Sequence, residues 1–261
     1  MHPRELAAAV LHTLPFGRAA ALLVVENVLV FLVAIAGGAL LLRLARGRRV
    51  TAQPPPLDRV EIALTCSTLV LNSAVTIAGL WLARHDVIRF RTDTGWRALL
   101  DVVVLFLAMD ALMYVLHRVA HIPRLFDVVH TSHHRYDRPR PLTLFVLNPA
   151  ETLSFGALWL ALLWVYDASW LGVTVYLSLN LAFGVIGHLG VEPAPSWWPR
   201  APLLRHLAMS TFHAQHHQDP RVNFGFYTLF WDRLFGTLAR DYEQRLARAH
   251  CREGGITRAA T

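Results

Sequence analysis

Residues 19–44 read AAALLVVENVLVFLVAIAGGALLLRL, and Glu26 is the only charged side chain in this run before Arg43. A helix rises about 1.5 Å per residue, so the run is longer than the roughly 30 Å hydrocarbon core of a bilayer. It predicts a tilted membrane-spanning helix. Because the amino terminus lacks a short apolar core followed by a small-residue cleavage site, we expect no cleaved signal peptide.

Four more apolar runs follow along the chain, at residues 60–83, 96–116, 142–166 and 169–187. Little more than Asp167 and Ala168 separates the last two, which predicts a helical hairpin. The chain is 54% hydrophobic and 16% charged, whereas charged residues make up about a quarter of a soluble domain. The sequence therefore predicts an all-α, multi-span helical membrane protein with about four to five membrane segments.

An arginine-rich loop with three consecutive prolines, Pro54 to Pro56, separates the first two apolar runs. Such loops stay on the cytoplasmic side of a membrane. We therefore expect the loop to lie in the cytoplasm, together with a histidine-rich helical cap that includes residues 192–261. All 25 cationic side chains are arginine, which favours a GC-rich, bacterial genome and an inner-membrane location.

The net charge of +7 does not indicate a nucleic-acid partner, because the arginines flank apolar runs and form no basic face with interleaved aromatic side chains. Anionic lipid headgroups are the expected counterions. The two cysteines, Cys66 and Cys251, lie in an apolar run and a polar segment, so neither a disulfide framework nor a thiolate metal site is supported. Any metal site must use histidine.

Nine of the 14 histidines are clustered, and the pattern H-x-x-H-H occurs twice. Helical residues three and four positions apart lie on one face, so each cluster is expected to bring two or three imidazoles to one point. Each uncompensated ring beside a bilayer costs about 1–3 kcal/mol, a cost that a metal removes by accepting nitrogen lone pairs. The predicted ligands are His117, His121, His130, His133, His134, His188, His213, His216 and His217.

The number of ligands narrows the choice of metal. Structural zinc takes about four ligands and catalytic zinc about three plus water, so nine imidazoles indicate two metals with higher coordination numbers. Imidazole also suits iron, copper and nickel, and the spacing does not decide the geometry. Two irons with an open face are favoured because they can bind and reduce O2. The zinc-hydrolase signature H-E-x-x-H is absent, and adjacent histidine pairs do not suit a haem.

Several polar side chains are candidates for orienting the imidazoles. Asp110, Tyr114 and His117 lie on one helical stripe, where Asp110 is expected either to orient an imidazole or to pair with an arginine. Glu192 is a further candidate. The weaker candidates are Asp127 and Glu151. The isolated histidines, expected to be ordinary hydrogen-bonded residues, are His2, His12, His85 and His250.

From Asp110 to Thr237 the chain resembles the fatty acid hydroxylase and sterol desaturase superfamily of membrane-bound histidine-box di-iron oxygenases. The motifs that carry the resemblance are the first box at Asp110–Leu125, the second at His130–His134, the lone His188, the third box FHAQHH at 212–217, and the tail motifs at 223–225 and 231–237. Asn148 departs from the family, because sterol-oxidising members often have a histidine before the equivalent of Pro149. His206 has no clear counterpart.

The resemblance implies two iron ions, O2 as co-substrate, a lipid substrate, and an external electron donor of ferredoxin or cytochrome type with its reductase. The lipid is an acyl chain, a sterol or an isoprenoid, and the reaction is hydroxylation or desaturation. Zinc readily fills imidazole sites in overexpressed material. We place an N-terminal membrane region with two spans at residues 1–95, a catalytic domain at 96–240 and a polar C-terminal tail at 241–261.

Two other kinds of function fit clustered histidines. A histidine-rich membrane metal-binding or transport protein is one, although a transporter places polar ligands at mid-membrane on broken helices, and these histidines lie at the ends of apolar runs and in the cap. A zinc-dependent membrane hydrolase is the other. An inactive family member with a structural role is disfavoured by the complete histidine set.

Overall fold

The computed structural model describes residues 13–256, and over this part of the chain the protein is helical and contains no strand. This confirms the all-α prediction. The longer helices are α1 (Phe16–Leu44), α2 (Arg59–Arg84), α3 (Trp96–Ala120), α4 (Pro149–Val165), α5 (Trp170–Gly187), α6 (Ser210–Gln218) and α7 (Tyr242–Ile256). The short helical turns are Pro123–Leu125, Phe126–His130, Thr131–His134, Pro141–Phe145, Trp198–Arg200, Leu204–His206 and Phe230–Leu234.

Four helices, α1, α2, α3 and α5, are long and apolar enough to cross a membrane. They contain 29, 26, 25 and 18 residues, which corresponds to lengths of roughly 27 to 44 Å. Their outward side chains are apolar and exposed: Val33 is 66% and Val70 67% exposed. A membrane would cover these surfaces. The chain is therefore a multi-span integral membrane protein.

The apolar run at residues 142–166 forms a shorter helix than the sequence predicts. Proline disfavours helical backbone in the residue before it but fits the first position of a helix, so α4 begins at Pro149. Asn148 caps this start, since its Oδ1 accepts a hydrogen bond from the Ala150 amide at 2.9 Å. Residues Pro141–Phe145 form a separate 3-10 turn that packs against α1 and α2.

One end of the bundle gathers the carboxyl ends of α1, α3 and α5 and the amino ends of α2 and α4. There the α1–α2 loop pairs with the segment after α5: the Val50 amide donates to the Gly190 carbonyl at 3.1 Å, and the Glu192 amide donates to the Arg48 carbonyl at 2.8 Å. The arginine-rich loop and the cap therefore lie on the same side of the bundle.

The opposite end is closed by a buried carboxylate. Asp101 accepts hydrogen bonds from the Arg91 guanidinium at 2.8 and 2.9 Å, from the Tyr166 hydroxyl at 2.7 Å and from the Ser169 amide at 2.9 Å. These contacts tie the α2–α3 connection to the α4–α5 turn. The predicted hairpin between α4 and α5 is thereby anchored to α3.

The segment predicted as a polar C-terminal tail contains α7, which packs on the cap. Tyr242, Leu246 and Ala249 are buried, and the first two join Phe212 of α6 in one apolar cluster. Buried positions three and four residues apart give α7 an apolar face, while the charged side chains lie on the other face. The boundaries of the predicted domains stay a prediction.

Candidate metal centre

The nine clustered histidines lie together at the end of the bundle where α3 and α5 end, and they form two groups. Within each group, one ring nitrogen of every member lies within 4.8 Å of the others. The first group is His117, His121, His130, His134 and His216, and the second group is His133, His188, His213 and His217.

Each H-x-x-H-H box is shared between the two groups. His130 and His134 belong to the first group and His133 to the second, whereas His213 and His217 belong to the second and His216 to the first. Each box thus brings two imidazoles to one point, as expected, while its third imidazole joins the other group. A helical residue at i+4 points about 40° from residue i, but i+3 points about 60° to the other side, so a single box can serve two neighbouring points.

Backbone carbonyls determine which ring nitrogen carries the proton in four of the nine histidines. The Nδ1 contacts are His117 to Phe224 O at 2.8 Å, His133 to Val146 O at 3.0 Å, His188 to Gly184 O at 2.8 Å and His216 to Val222 O at 2.6 Å. A carbonyl oxygen only accepts hydrogen bonds, so Nδ1 must donate. Nε2 of a neutral ring is then unprotonated and available as a ligand.

The unprotonated nitrogens face each other. Nε2 of His133 lies 3.3 Å from Nε2 of His188, although both rings donate from Nδ1. Two lone pairs at this separation repel unless a cation lies between them. Two nitrogens bound at about 2.1 Å from one ion lie roughly 3 Å apart when the angle at the ion is near a right angle. The residues present therefore fit a metal ion.

Burial keeps the rings in the neutral form that metals bind. Burial is the main cause that lowers the pKa of His188 to about 4, and burial together with the neighbouring His188 lowers the pKa of His133 to about 3. Burial and the neighbouring imidazoles likewise lower the pKa values of His121 and His134 to about 2. The groups can therefore accept a cation without first losing protons at neutral pH.

The loop at residues 222–228 supplies two of the carbonyls that orient the imidazoles, and two buried carboxylates hold this loop. Asp232 accepts from the amides of Phe224 and Gly225 at 2.8 and 2.7 Å. Asp110 accepts from the Thr228 amide at 3.1 Å and from its hydroxyl at 2.5 Å. The expected contact of Asp110 with an imidazole or an arginine is thus replaced by contacts with the loop, because α3 packs directly beneath it.

Tyr114 and Glu192 also support the site without touching an imidazole. The Tyr114 hydroxyl lies 3.0 Å from Thr237 Oγ1. Glu192 is fully buried and accepts from the Thr211 amide at 2.9 Å and from its hydroxyl at 2.6 Å. Thr211 lies in the first turn of α6, where backbone amides favour a negative charge. Glu192 therefore fixes the start of the helix that carries the third box.

Glu151, a weak candidate in the sequence, is the carboxylate that contacts a clustered histidine. Its Oε1 lies 2.7 Å from Nδ1 of His130, and both side chains are buried. Sequence spacing could not reveal this contact, because it depends on how α4 packs against the turn at 126–130. Asp127 lines a surface cleft and contacts no group member, and His206 lies beside Arg233, outside both groups.

The isolated histidines in the described part of the chain behave as expected. His85 Nδ1 lies 2.8 Å from the Trp81 carbonyl, and His250 Nε2 lies 2.9 Å from the Ala194 carbonyl. Both cysteines are free and exposed, which agrees with the absence of a disulfide framework in the prediction. His2 and His12 lie outside the described residues.

A cleft with a volume of about 640 Å³ adjoins the first group. It lies between the start of α2 and residues 126–135, and it reaches His134. Val60 and Val128 in its wall are 44% and 69% exposed. The other lining residues are Phe126, Asp127, Thr131, Ser132 and Arg135. Three apolar side chains, those of Val60, Phe126 and Val128, thus line the cleft together with polar ones, next to the first group.

Residues 102–237, just over half of the chain, match the family model described as fatty acid hydroxylase. The chain belongs to the fatty acid hydroxylase family. This range contains all nine clustered histidines, so the match confirms the resemblance seen in the boxes.

Curated relatives are similar at low identity. A very-long-chain aldehyde decarbonylase of Oryza sativa subsp. indica is 26% identical over 185 residues, which are 67% of this chain and 29% of that protein. Methylsterol monooxygenase erg25B of Aspergillus fumigatus is 26% identical over 208 residues, 75% of this chain and 68% of that protein. Methylsterol monooxygenase 1 of Danio rerio is 28% identical over 130 residues, which are 49% of this chain and 43% of that protein.

The chain therefore spans less than a third of the length of the aldehyde decarbonylase and about two thirds of that of the fungal monooxygenase. No solved structure matches the chain.

Proposed function

We propose that the chain is a membrane-bound, O2-dependent lipid hydroxylase or desaturase that holds two iron ions, one in each histidine group. The convergence of unprotonated Nε2 atoms at the end of an apolar helical bundle carries this proposal. The relatives' names support it, since a methylsterol monooxygenase and an aldehyde decarbonylase both act on lipids. The proposed catalytic unit is residues 96–240, between the membrane region at 1–95 and the tail at 241–261.

When bound, the two irons would supply the reduction of O2 and the oxidation of an unactivated C–H bond, with two electrons from an external ferredoxin- or cytochrome-type donor. The nine imidazoles would hold the irons, and the carbonyls that accept from Nδ1 keep the rings in the binding tautomer. Apolar side chains around the reacting carbon would keep water away from it.

We propose that the lipid reaches the first group through the cleft beside His134. Val60, Phe126 and Val128 would contact its hydrocarbon part. Asn148, the residue that departs from sterol-oxidising relatives, donates from Nδ2 to the Val128 carbonyl at 3.0 Å and so holds the cleft wall. This difference favours an acyl chain or an isoprenoid over a sterol.

We propose that the metal centre faces the cytoplasm, in a bacterial inner membrane. The arginine-rich α1–α2 loop lies at the same end of the bundle as both histidine groups. Arginine-rich loops remain cytoplasmic, and that side offers soluble electron donors.

The test is anaerobic purification, reconstitution with iron, and measurement of lipid-dependent O2 consumption with a reductant and extracted lipids. Two irons per chain and a hydroxylated or desaturated product would support the proposal. Lipid turnover without O2 consumption would favour a zinc-type hydrolase. Metal transport into sealed vesicles without lipid oxidation would favour a transporter. Zinc found in overexpressed protein would not contradict the proposed iron centre, because imidazole sites bind zinc readily.

A further inference from the structure

Glu151 is an unusual neighbour for a metal-binding imidazole in this chain. Its side chain is 5% exposed, and its Oε1 lies 2.7 Å from Nδ1 of His130, whose side chain is 2% exposed. On the other side of the ring, His130 Nε2 lies 3.1 Å from Nε2 of His117. The His130 ring therefore lies between the Glu151 carboxyl group and the other members of the first group.

Four other rings have a backbone carbonyl, and not a carboxylate, beside Nδ1. His117 and His216 of the first group, and His133 and His188 of the second, donate Nδ1–H to backbone carbonyls. Among the described residues, Glu151 is the single carboxylate within ion-pair distance of the nine histidines. The two groups thus differ in whether an acidic side chain lies beside one of their imidazoles.

The start of α4 fixes the position of this carboxylate. Glu151 lies in the first turn, which the Asn148 side chain caps. The same side chain donates from Nδ2 to Val128 in the π-helical turn Phe126–His130, so it ties α4 to the turn that carries His130. The helix amino terminus also favours a negative charge. The Glu151–His130 contact is therefore built by two connected elements.

We propose that Glu151 is a positioning residue for the first histidine group. Glu151 orients the His130 ring and makes this ring a stronger electron donor than the rings whose Nδ1 donates to a carbonyl. The inference rests on the proposed function, because it assumes an iron in each group. A carboxylate that accepts from a metal-binding histidine fixes its tautomer and raises its basicity. The two iron positions would then differ in affinity and in electronic structure.

Two substitutions separate orientation from charge. Glu151→Ala removes both the acceptor and the charge, so the affinity of the first group for iron should fall by about 10- to 100-fold while that of the second stays unchanged. Glu151→Gln keeps an oxygen that can accept from Nδ1 and removes only the charge. It should retain both irons but alter the Mössbauer signal of one of them.

The measurements are iron titration against a competing chelator and Mössbauer spectra of the protein loaded with ⁵⁷Fe. The matched control is Asp101→Asn, which alters a buried carboxylate at the opposite end of the bundle. It should leave both iron affinities and both signals unchanged, whatever its effect on thermal stability.

Variants that lack two members of one histidine group show which iron is affected. In a chain with His133→Ala and His188→Ala, which should retain iron in the first group, Glu151→Gln should shift the remaining signal. In a chain with His134→Ala and His216→Ala, which should retain iron in the second group, it should not.

If the wild-type protein binds two irons and the Glu151→Ala variant binds both with wild-type affinity, the role of Glu151 would be overturned and the proposed function would stand. A Gln variant that shifts both signals equally, or neither, would overturn it as well. If the wild-type chain binds fewer than two irons under iron-replete conditions, the proposed function fails and this inference falls with it.

Discussion

His133 and His134 are adjacent in the chain, yet their rings belong to different groups. Successive helical residues are rotated by about 100°, so neighbouring side chains point to different places while residues four apart point together. His134 instead meets His216, 82 residues later, with their Nε2 atoms 3.0 Å apart. Group membership is therefore set by rotation around each short helix and not by closeness in the sequence.

Paired substitutions test this grouping. His134→Ala with His216→Ala removes two members of the first group, so the chain should retain about one iron, held in the second group. His133→Ala with His134→Ala removes one member from each group and should weaken both. Iron per chain after dialysis against a chelator measures the difference.

The control is His85→Ala, because His85 is exposed and lies outside both groups. It should retain two irons. Equal iron loss from the two double variants would contradict the division into groups.

At the scale of elements, α4 is held against α2 by close contact. A Cβ on Gly156 would lie 2.5 Å from a methyl carbon of Val75, so the valine side chain or one of the two helices would have to shift. The first turn of α4 carries Glu151, so the packing of this helix also determines where that carboxylate lies.

Gly156→Ala should therefore destabilise the protein by about 1–3 kcal/mol, the usual cost of overpacking. Gly37→Ala is the matched control on α1, since a Cβ there meets nothing within 4 Å. It should leave stability unchanged or raise it by up to about 1 kcal/mol, because alanine favours a helix interior more than glycine does. Thermal unfolding of both variants in the same detergent compares them, and equal midpoints would contradict the packing described for α2 and α4.

The apolar runs allowed most of these elements to be predicted. α1, α2 and α5 agree with their runs within about three residues, while α3 extends further, to Ala120. The apolar run begins at residue 142, whereas α4 begins at Pro149. Hydropathy alone does not show that a proline is the first residue of a helix. The packing of α7 on the cap was not predicted, since its apolar face is short and the partner surface lies on α6.

At the scale of the whole molecule, the proposed lipid path is the cleft that reaches His134 of the first group. Val60 lines it, whereas Val70, on the same helix, is exposed away from it. Val60→Trp should fill the cleft and reduce lipid turnover at least tenfold, while two irons remain bound. Val70→Trp is the control and should retain activity. Full turnover by the Val60 variant in an O2-consumption assay would exclude the cleft as the lipid path.

The buried imidazoles also make stability depend on pH in the iron-free protein. The pKa of His188 is about 4 because the ring is buried, whereas the unfolded value is about 6.5. Between these values the unfolded chain binds a proton that the folded chain does not. The free energy of unfolding therefore rises with pH, by about 1.4 kcal/mol per unit for one such ring.

Iron-free protein should accordingly have its full stability above roughly pH 6.5 and lose stability as the pH falls towards 4. Thermal midpoints of the iron-free protein across this range provide the measurement. A midpoint that is constant or rises on acidification would show that the rings are already protonated in the folded state.

The sequence by itself determined the helical membrane architecture, the nine candidate ligands and the family, because apolar runs and histidine boxes are local patterns. Tertiary structure decided how the boxes are shared, which carbonyls and which carboxylate orient the rings, and where a cleft reaches them. His117 and Phe224 are 107 residues apart in sequence, yet their hydrogen bond measures 2.8 Å. Such contacts depend on how distant elements pack, and no local periodicity encodes them.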